Sequence, residues 1–168
     1  MNIVLCGMMG VGKSTVGIKV AELTKRCWID TDTVISNRYG SILDIFEYYG
    51  EAHFRGLESQ VVGEYYEKDD LVISTGGGLV LHRENAERLK KNGKIFFLQA
   101  SLDTLLSRIM TYDTRPLLRN TLGARKRMEQ LLQERKPVYE YVSDYIVDTE
   151  NKSADEVARE IVSLMEQL

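Results

Sequence analysis

The stretch GMMGVGKST, Gly7–Thr15, decides the fold of this chain. It matches the pattern G-x-x-x-x-G-K-[ST], and it follows an apolar run of strand length, Asn2–Cys6, and opens a segment of helical period. In this pattern the loop N–H groups surround a phosphate, and the helix N-terminus adds partial positive charge. The lysine, here Lys13, reaches the β- and γ-phosphates, and the hydroxyl of Ser14 can bind Mg²⁺. The stretch therefore predicts a site for ATP or GTP.

Apolar runs of strand length alternate with segments of helical period along the rest of the chain, which predicts a doubly wound α/β domain. Runs such as IVLC, LVIS and IFFL are continuously apolar, as is typical of strands that helices cover on both faces. The predicted strands are Asn2–Cys6, Cys27–Asp30, Leu71–Thr75, Lys94–Gln99 and Asp144–Val147. Helices are predicted to begin near Lys13, Thr33, Ile42, Glu51, Arg83, Ser101 and Ala124, with a last one over Ala154–Glu166. Ser153 and Glu156 predict a capping box for this last helix.

Length and composition favour a single globular domain over residues 1–168. A net charge of −3 and a pI near 5.5 argue against a protein that binds nucleic acid through a basic surface. The first ten residues lack the basic start of a secretory signal, and no apolar run approaches the roughly 20 residues of a membrane span. We therefore expect a cytoplasmic protein without a membrane partner, in which Cys6 and Cys27 are buried and unpaired.

Two more motifs follow predicted strands. In IDTD, residues 29–32, the acids Asp30 and Asp32 could cap a helix, hold a metal ion or accept a proton from a substrate. Alternation along a strand would turn both to the same side and Thr31 away from them, which favours a structural role for Thr31. The glycine triplet 76–78 would let a ligand or another backbone approach closely, although a flexible turn is the alternative. Since the carboxyl ends of the strands in such a sheet line the ligand crevice, we expect these motifs to meet the phosphate loop there.

Missing motifs narrow the class of protein. The chain has no N-K-x-D guanine motif of the kind expected in a GTPase, and its third strand runs into glycines rather than the acidic residues of a motor or helicase ATPase. Together with the short length, this favours a small-molecule kinase. A nucleotide-binding regulatory module, or a kinase homologue without turnover, is the alternative from another class.

The arginines indicate an acidic acceptor. Arg55 and Arg135 could bind a substrate carboxylate by bidentate pairing, although each alone could be a solvated surface charge. The irregular stretch 111–123 contains Arg115 and is either a mobile loop that brings an arginine to the transferring phosphoryl group or an ordinary connector. Arg108 could stack on adenine or form a salt bridge on a helix surface.

Taken together, these motifs resemble those of the shikimate kinase family, from residue 3 to about residue 165. The matching segments are, in family order, GMMGVGKST, IDTD, Phe54-Arg55, STGGG at 74–78, RPLL at 115–118 and ERKPVYEYV at 134–142. The resemblance implies a three-layer α/β/α sandwich of the P-loop NTPase type, similar to nucleoside monophosphate kinases, with a five-stranded parallel sheet in the order 2-3-1-4-5. It also implies a substrate-binding region at about 31–60, a lid at about 111–123, and a monomer.

The resemblance further implies transfer of the γ-phosphate of ATP to the 3-hydroxyl of shikimate with Mg²⁺, in aromatic amino-acid biosynthesis. The catalytic residues would be Lys13, Asp32 and Arg115. The nucleotide would be bound by Gly10, Val11, Gly12, Lys13, Ser14, Thr15, Arg108, Arg115 and Lys152. The substrate would be bound by Asp32, Arg55, Gly77, Gly78 and Arg135.

In this family the two acids of IDTD would have different roles. Ser14 would ligate the magnesium ion and Asp30 would hold its water shell, whereas Asp32 would orient or deprotonate the attacking hydroxyl, with helix capping as a second duty. One departure concerns the adenine side, because the family often carries a proline after V-D-T and the segment IVDTENKS has none. The adenine contacts near Asn151–Ser153 therefore stay open.

Overall fold

The computed structural model of the chain describes residues 1–111 and 121–167. Its strands are β1 Asn2–Cys6, β2 Cys27–Asp30, β3 Leu71–Ser74, β4 Gly93–Gln99 and β5 Tyr145–Asp148. Its α-helices are α1 Lys13–Thr24, α2 Thr31–Tyr39, α3 Ile42–Tyr49, α4 Glu51–Tyr65, α5 Arg83–Lys91, α6 Leu102–Thr111, α7 Thr121–Val142 and α8 Ala154–Glu166, and a 3₁₀ turn covers Leu79–Leu81. Each predicted strand is present, with bounds that differ by a residue at most.

The strands form one parallel sheet in the order β2-β3-β1-β4-β5, which confirms the predicted order and fold class. The phosphate-loop strand β1 lies at the centre, where Val4 pairs with Ile73 of β3 and with Ile95 of β4. All five residues of β1 are buried, as expected for a strand covered on both faces. Because the strands are parallel, the segments that follow β1, β2 and β3 leave the sheet at the same edge.

The segment after β2 differs from the prediction. The strand ends at Asp30 and α2 begins at Thr31 rather than near Thr33, so strand alternation does not set the directions of Thr31 and Asp32. Asp30 is the N-cap of α2, since its Oδ1 accepts hydrogen bonds from the backbone N–H groups of Asp32 and Thr33 at 3.0 and 3.1 Å. The capping duty suggested for Asp32 is therefore wrong. Asp32 lies in the first turn, where a negative charge suits the helix dipole.

A small hydrophobic cluster, separate from the main core around the sheet, holds α2, α3 and α4 together. These helices pack through buried side chains, so that α4 has a defined position next to α2. The members of the cluster are Ile35, Ile45, Phe54, Leu57 and Val61. This packing matters for the site because Phe54 is followed by Arg55, and α2 carries Asp32.

Three smaller expectations have mixed outcomes. The capping box of Ser153 and Glu156 is confirmed at the start of α8. Cys6 is buried as predicted, and burial raises the pKa of its thiol to about 11. Cys27 is exposed, so the prediction that it is buried is wrong; it begins β2, which is an edge strand of the sheet. In the described ranges, none of the helices combines the length and the apolar composition that crossing a bilayer requires.

Candidate active site

The phosphate loop joins the end of β1 to the start of α1. Its turn uses left-handed backbone, with φ of 139° at Gly7 and 100° at Gly12, a region that residues other than glycine rarely adopt. A Cβ on Gly7 would also collide with the carbonyl oxygen of Leu98 in β4. Gly12 is the N-cap of α1, and no side chain in the described ranges caps this helix. A helix N-terminus without a side-chain cap suits an anion.

Lys13 lies across this loop. Its Nζ donates hydrogen bonds to the carbonyl oxygens of Gly7 and Met8 at 2.8 and 3.0 Å. The ammonium group is therefore held at the mouth of the loop, where a bound phosphate would meet both the helix N-terminus and this charge.

Ser14 and Asp30 connect the phosphate loop to the end of β2. The Ser14 hydroxyl donates a hydrogen bond to Oδ2 of Asp30 at 2.5 Å, while Oδ1 of the same carboxylate caps α2. The cap fixes the orientation of Asp30, so that one carboxylate oxygen faces the serine. A hydroxyl and a carboxylate oxygen next to a phosphate loop suit Mg²⁺, which prefers oxygen ligands and retains several waters. Within residues 1–111 and 121–167, no group of three or more His, Cys, Asp or Glu could hold a metal ion.

The glycine triplet brings together the three side chains expected to bind the acceptor. A Cβ on Gly76 would lie 2.5 Å from Oδ1 of Asp32. On Gly77 it would lie 3.2 Å from Nη1 of Arg135, and on Gly78 it would lie 2.5 Å from Nη2 of Arg55. The side chains come from α2, α7 and α4, and they meet around the triplet because no side chain of the triplet itself occupies the space.

Two hydrogen bonds fix the backbone of the triplet. Oγ1 of Thr31, which is buried, accepts from the N–H of Gly76 at 2.9 Å. The hydroxyl of Tyr139, also buried, donates to the carbonyl oxygen of Gly77 at 2.5 Å. Burial raises the pKa of Tyr139 to about 12, so this hydroxyl remains a donor at neutral pH. The prediction that Thr31 is structural agrees with this contact.

Glu58 is a buried acid that the sequence reasoning missed. Its side chain is only 1% exposed, and Oε2 accepts a hydrogen bond from Nη1 of Arg55 at 2.7 Å. Burial raises the pKa of Glu58 to about 7; Arg55 and Arg135 oppose the shift, and the charge of Asp32 adds to it. The i,i+3 spacing of Arg55 and Glu58 on α4 was a readable signal for the pair, although not for its burial.

The residues expected at the adenine end are held by protein contacts. Arg108 on α6 donates from Nη1 to the carbonyl oxygen of Val11 at 3.0 Å and to Oγ1 of Thr149 at 3.2 Å. Its Nη2 reaches the Thr149 carbonyl oxygen at 3.3 Å, so the guanidinium joins the phosphate loop to the segment after β5. Lys152 in that segment pairs with Glu160 of α8 at 2.7 Å. Arg115, and most of the predicted lid, lie outside the described residues.

The chain combines a phosphate loop of the nucleotide-binding pattern, a hydroxyl–carboxylate pair beside it, and a cluster of two arginines and a second aspartate around the glycine triplet. These features define the class of this protein. It is a phosphate-loop kinase that acts on a small molecule.

Comparison with known proteins gives the family. The family model for shikimate kinase matches residues 9–166. The shikimate kinase of Thermodesulfovibrio yellowstonii is 42% identical over 168 residues, which cover 99% of this chain and 96% of that protein. The shikimate kinase of Caldanaerobacter subterraneus subsp. tengcongensis is 43% identical over 162 residues, which cover 96% of this chain and 94% of that protein.

A solved structure agrees with these relatives. The shikimate kinase from Acinetobacter baumannii in complex with shikimate superimposes with a TM-score of 0.91 at 36% identity, over 99% of this chain and 93% of that one. The chain belongs to the shikimate kinase family, whose enzymes phosphorylate shikimate with ATP. The family and the enzyme class predicted from the motifs are thus confirmed.

Proposed function

We propose that the chain transfers the γ-phosphate of ATP to the 3-hydroxyl of shikimate, with Mg²⁺, by in-line phosphoryl transfer. Membership of the family makes the chain an ATP-dependent kinase of shikimate; the position of the hydroxyl, the metal and the role of each residue are the proposal. The observation that carries it is the meeting of Asp32, Arg55 and Arg135 around the glycine triplet, at the same sheet edge as the phosphate loop. A carboxylate and two guanidinium groups suit a substrate that is both a polyol and an acid.

The phosphates of ATP bind the loop in this proposal. The backbone of Gly10, Val11 and Gly12 surrounds them, and the N–H groups of Ser14 and Thr15 add the helix N-terminus. Lys13 supplies the charge at the β- and γ-phosphates. At the other end of the nucleotide, Arg108 and Lys152 flank the adenine. The contacts of Arg108 to Val11 and Thr149 support its role because they hold its guanidinium next to the loop, whereas the role of Lys152, which pairs with Glu160, rests on the family resemblance.

Ser14 and Asp30 are the proposed magnesium residues. Their 2.5 Å hydrogen bond puts two oxygen donors at the point where the loop meets β2, and this donor set fits a hard cation. The serine hydroxyl would bind the ion directly, and the carboxylate would bind it through water. When bound, Mg²⁺ neutralises charge on the β- and γ-phosphates. The cap of α2 fixes the orientation of Asp30.

The acceptor lies against the triplet. Arg55 and Arg135 bind the shikimate carboxylate, the backbone of Gly77 and Gly78 contacts the ring substituents, and Asp32 aligns the 3-hydroxyl with the γ-phosphate. Since phosphoryl transfer passes through a loose transition state, alignment and charge neutralisation matter more than a strong base. The third catalytic residue is Arg115, which we propose, on the family resemblance, as the arginine that stabilises charge on the γ-phosphoryl group.

The remaining properties are proposed with the same function. The enzyme is a cytoplasmic monomer of one domain that has no nucleic-acid or membrane partner. The net charge of −3 supports the absence of a nucleic-acid partner, because such binding relies on a basic surface.

A coupled ADP-release assay tests the proposed function. With ATP and Mg²⁺, we expect ADP release to depend on shikimate and to be at background with gluconate. Asp32→Asn should lose most of the turnover and still bind ATP, which nucleotide titration measures. A protein that binds ATP but releases no ADP with shikimate would instead be a regulatory module. Near-normal turnover in Asp32→Asn would remove this aspartate from the catalytic set.

A further inference from the structure

Glu58 lies at the back of the acceptor site in an environment that an acidic substrate must change. Nη1 of Arg55 donates to Glu58 at 2.7 Å and its Nη2 donates to Glu51 at 3.3 Å, so both terminal nitrogens already serve carboxylates. Each of these nitrogens has a second N–H group, so an incoming carboxylate that binds Arg55 shares the charge of the guanidinium with these two acids. The family role of Arg55 does not by itself say what becomes of them.

The two acids that share the charge of Arg55 differ in exposure. Glu51 is 66% exposed, so water can solvate its charge when it releases Arg55. Glu58 is 1% exposed, and in the described part of the chain Oε1 has no hydrogen-bond partner. If the charge of Arg55 is shared with a substrate, the Glu58 carboxylate becomes a poorly compensated charge in a low-dielectric place, and such groups tend to neutralise.

The other charges around Glu58 either favour its protonation or oppose that protonation only in part. Oε1 of Glu58 and Oδ1 of Asp32 both border the Cβ position of Gly76, at 3.0 and 2.5 Å, so two carboxylates approach one another there. Arg135 of α7 also acts on Glu58, but it is the second arginine that the substrate carboxylate would engage. Binding of the acid thus divides the positive charge of both arginines and adds a negative charge next to Asp32 and Glu58.

We propose that Glu58 takes up a proton from solvent when the acidic substrate binds Arg55, so that substrate binding is coupled to protonation of this buried carboxylate. The inference rests on the proposed function, in which the substrate is shikimate. The new O–H bond forms on Glu58, and the charge that Glu58 gives up is replaced by that of the substrate carboxylate. Since the pKa of Glu58 is about 7 before binding, the group is poised to respond near neutral pH.

The pH dependence of shikimate binding follows from the direction in which the pKa of Glu58 changes. Binding raises the pKa of Glu58 above its starting value, so the complex holds more protons than the free enzyme wherever the pH lies between the two pKa values. At pH 7, Glu58 is protonated in about half of the free enzyme molecules, so substrate binding can add no more than about half a proton per site. At pH 5 both states are protonated and uptake vanishes. If the pKa rises by two units, affinity for shikimate weakens about fivefold between pH 7 and pH 8.

Isothermal titration of shikimate into the protein measures the coupling. At pH 7 and 8 the titration is run in HEPES, which has a smaller heat of ionisation, and in Tris, which has a larger one. At pH 5, acetate and pyridine serve as the corresponding pair. The dependence of the binding heat on the buffer gives the number of protons taken up. We expect about half a proton at pH 7, more at pH 8 and none at pH 5 for the wild-type protein.

Two variants assign the proton. Glu58→Gln keeps an oxygen that can accept from Arg55 but cannot titrate, so it should bind shikimate without proton uptake and with an affinity independent of pH from 7 to 8. Glu51→Gln is the matched control, because it removes the other carboxylate partner of the same arginine and should keep the wild-type proton count. Thermal unfolding of both variants checks that they fold.

The outcomes separate the inference from the proposed function. No detectable binding of shikimate to the wild-type protein would contradict the proposed function. Binding with no proton uptake at pH 7 and 8 would leave that function standing and overturn the inference. Uptake that persists in Glu58→Gln would assign the proton to another group and overturn it as well. The wild-type measurement is decisive even if Glu58→Gln does not fold.

Discussion

Replacement of Gly78 by alanine tests whether Arg55, which borders this glycine, binds the substrate. Gly78 has φ −96° and ψ −8°, which alanine adopts without strain, so the backbone does not oppose the change. A Cβ there would lie 2.5 Å from Nη2 and 2.6 Å from Cζ of Arg55, well inside the roughly 3.5 Å of an optimal contact between heavy atoms. The guanidinium group must move, and it can do so because it ends a flexible side chain.

The size of the effect follows from what Arg55 is proposed to do. A hydrogen bond to a charged group contributes about 1.5–3 kcal/mol. Loss of one such interaction in the transition state lowers kcat/KM for shikimate by about 10- to 150-fold, at about 1.4 kcal/mol for each factor of ten. The KM for ATP should remain close to the wild-type value. Stability has two opposing contributions. Alanine in place of glycine at a compatible position stabilises by about 0.4–1 kcal/mol, whereas moving Arg55 away from the buried carboxylate of Glu58 removes a charged hydrogen bond of about 1.5–3 kcal/mol, so we expect a net loss of stability of about 0.5–2.5 kcal/mol.

Steady-state kinetics with shikimate varied at saturating ATP, and the converse, measure both parameters. The matched control is Gly63→Ala, on the same helix as Arg55, where the Cβ would meet Nη1 of Arg88 at an ordinary 3.5 Å. This control should keep wild-type kinetics. An unchanged kcat/KM for shikimate in Gly78→Ala would refute the reasoning, and an equal loss for ATP would indicate that the whole loop had collapsed.

Three further predictions concern the same site. Arg135→Ala should weaken the binding of shikimate and leave that of ATP unchanged. An equal loss of ATP affinity in titrations would argue against binding of the substrate carboxylate by Arg135. Asp30→Asn keeps an oxygen that can cap α2, so it should unfold near the wild-type temperature, but it should need more Mg²⁺ for half-maximal activity. Asp30→Ala should need more Mg²⁺ as well and should also lose about 1 kcal/mol of stability in urea unfolding, because it removes the cap. Equal Mg²⁺ requirements in both variants and the wild type would argue against a metal role. Tyr139→Phe leaves the carbonyl oxygen of Gly77 without the hydroxyl that donates to it at 2.5 Å. The free energy of unfolding should fall by about 1–3 kcal/mol, and kcat/KM should fall more for shikimate than for ATP. Unchanged values would show that the triplet does not need this hydrogen bond.

Features that are local in sequence could be predicted from the sequence. The phosphate loop is contiguous, and its glycines and Lys13 carry their own structural requirements. The buried strands are visible as apolar runs because both of their faces are covered. Prediction was weaker at the start of α2, where the strand pattern suggested that the chain continues extended through IDTD. The side chain of Asp30 instead closes the first turn, which moves the helix start to Thr31.

Features that depend on distant packing could not be predicted in the same way. The hydroxyl of Tyr139 reaches the carbonyl oxygen of Gly77 across 62 positions, and nothing near either residue marks the pair. The burial of Glu58 depends on how α4 packs against α2 and the glycine triplet. In the sequence RGLE it is an ordinary charged residue of a helix. Its raised pKa is therefore a property of the tertiary structure.

The three residues 30–32 explain how the donor and acceptor sites can keep a fixed relation. Asp30 contacts Ser14 at the start of α1, Thr31 contacts the N–H of Gly76, and Asp32 borders the acceptor side of the triplet. Asp30 has extended backbone at the end of β2, whereas Thr31 and Asp32 are the first residues of α2 and lie about 100° apart around its axis, so the three side chains point in different directions. One short segment thus links the phosphate loop, the triplet and the side chains proposed to bind the acceptor. A shift of this segment would misalign both substrates together, and phosphoryl transfer depends mainly on alignment.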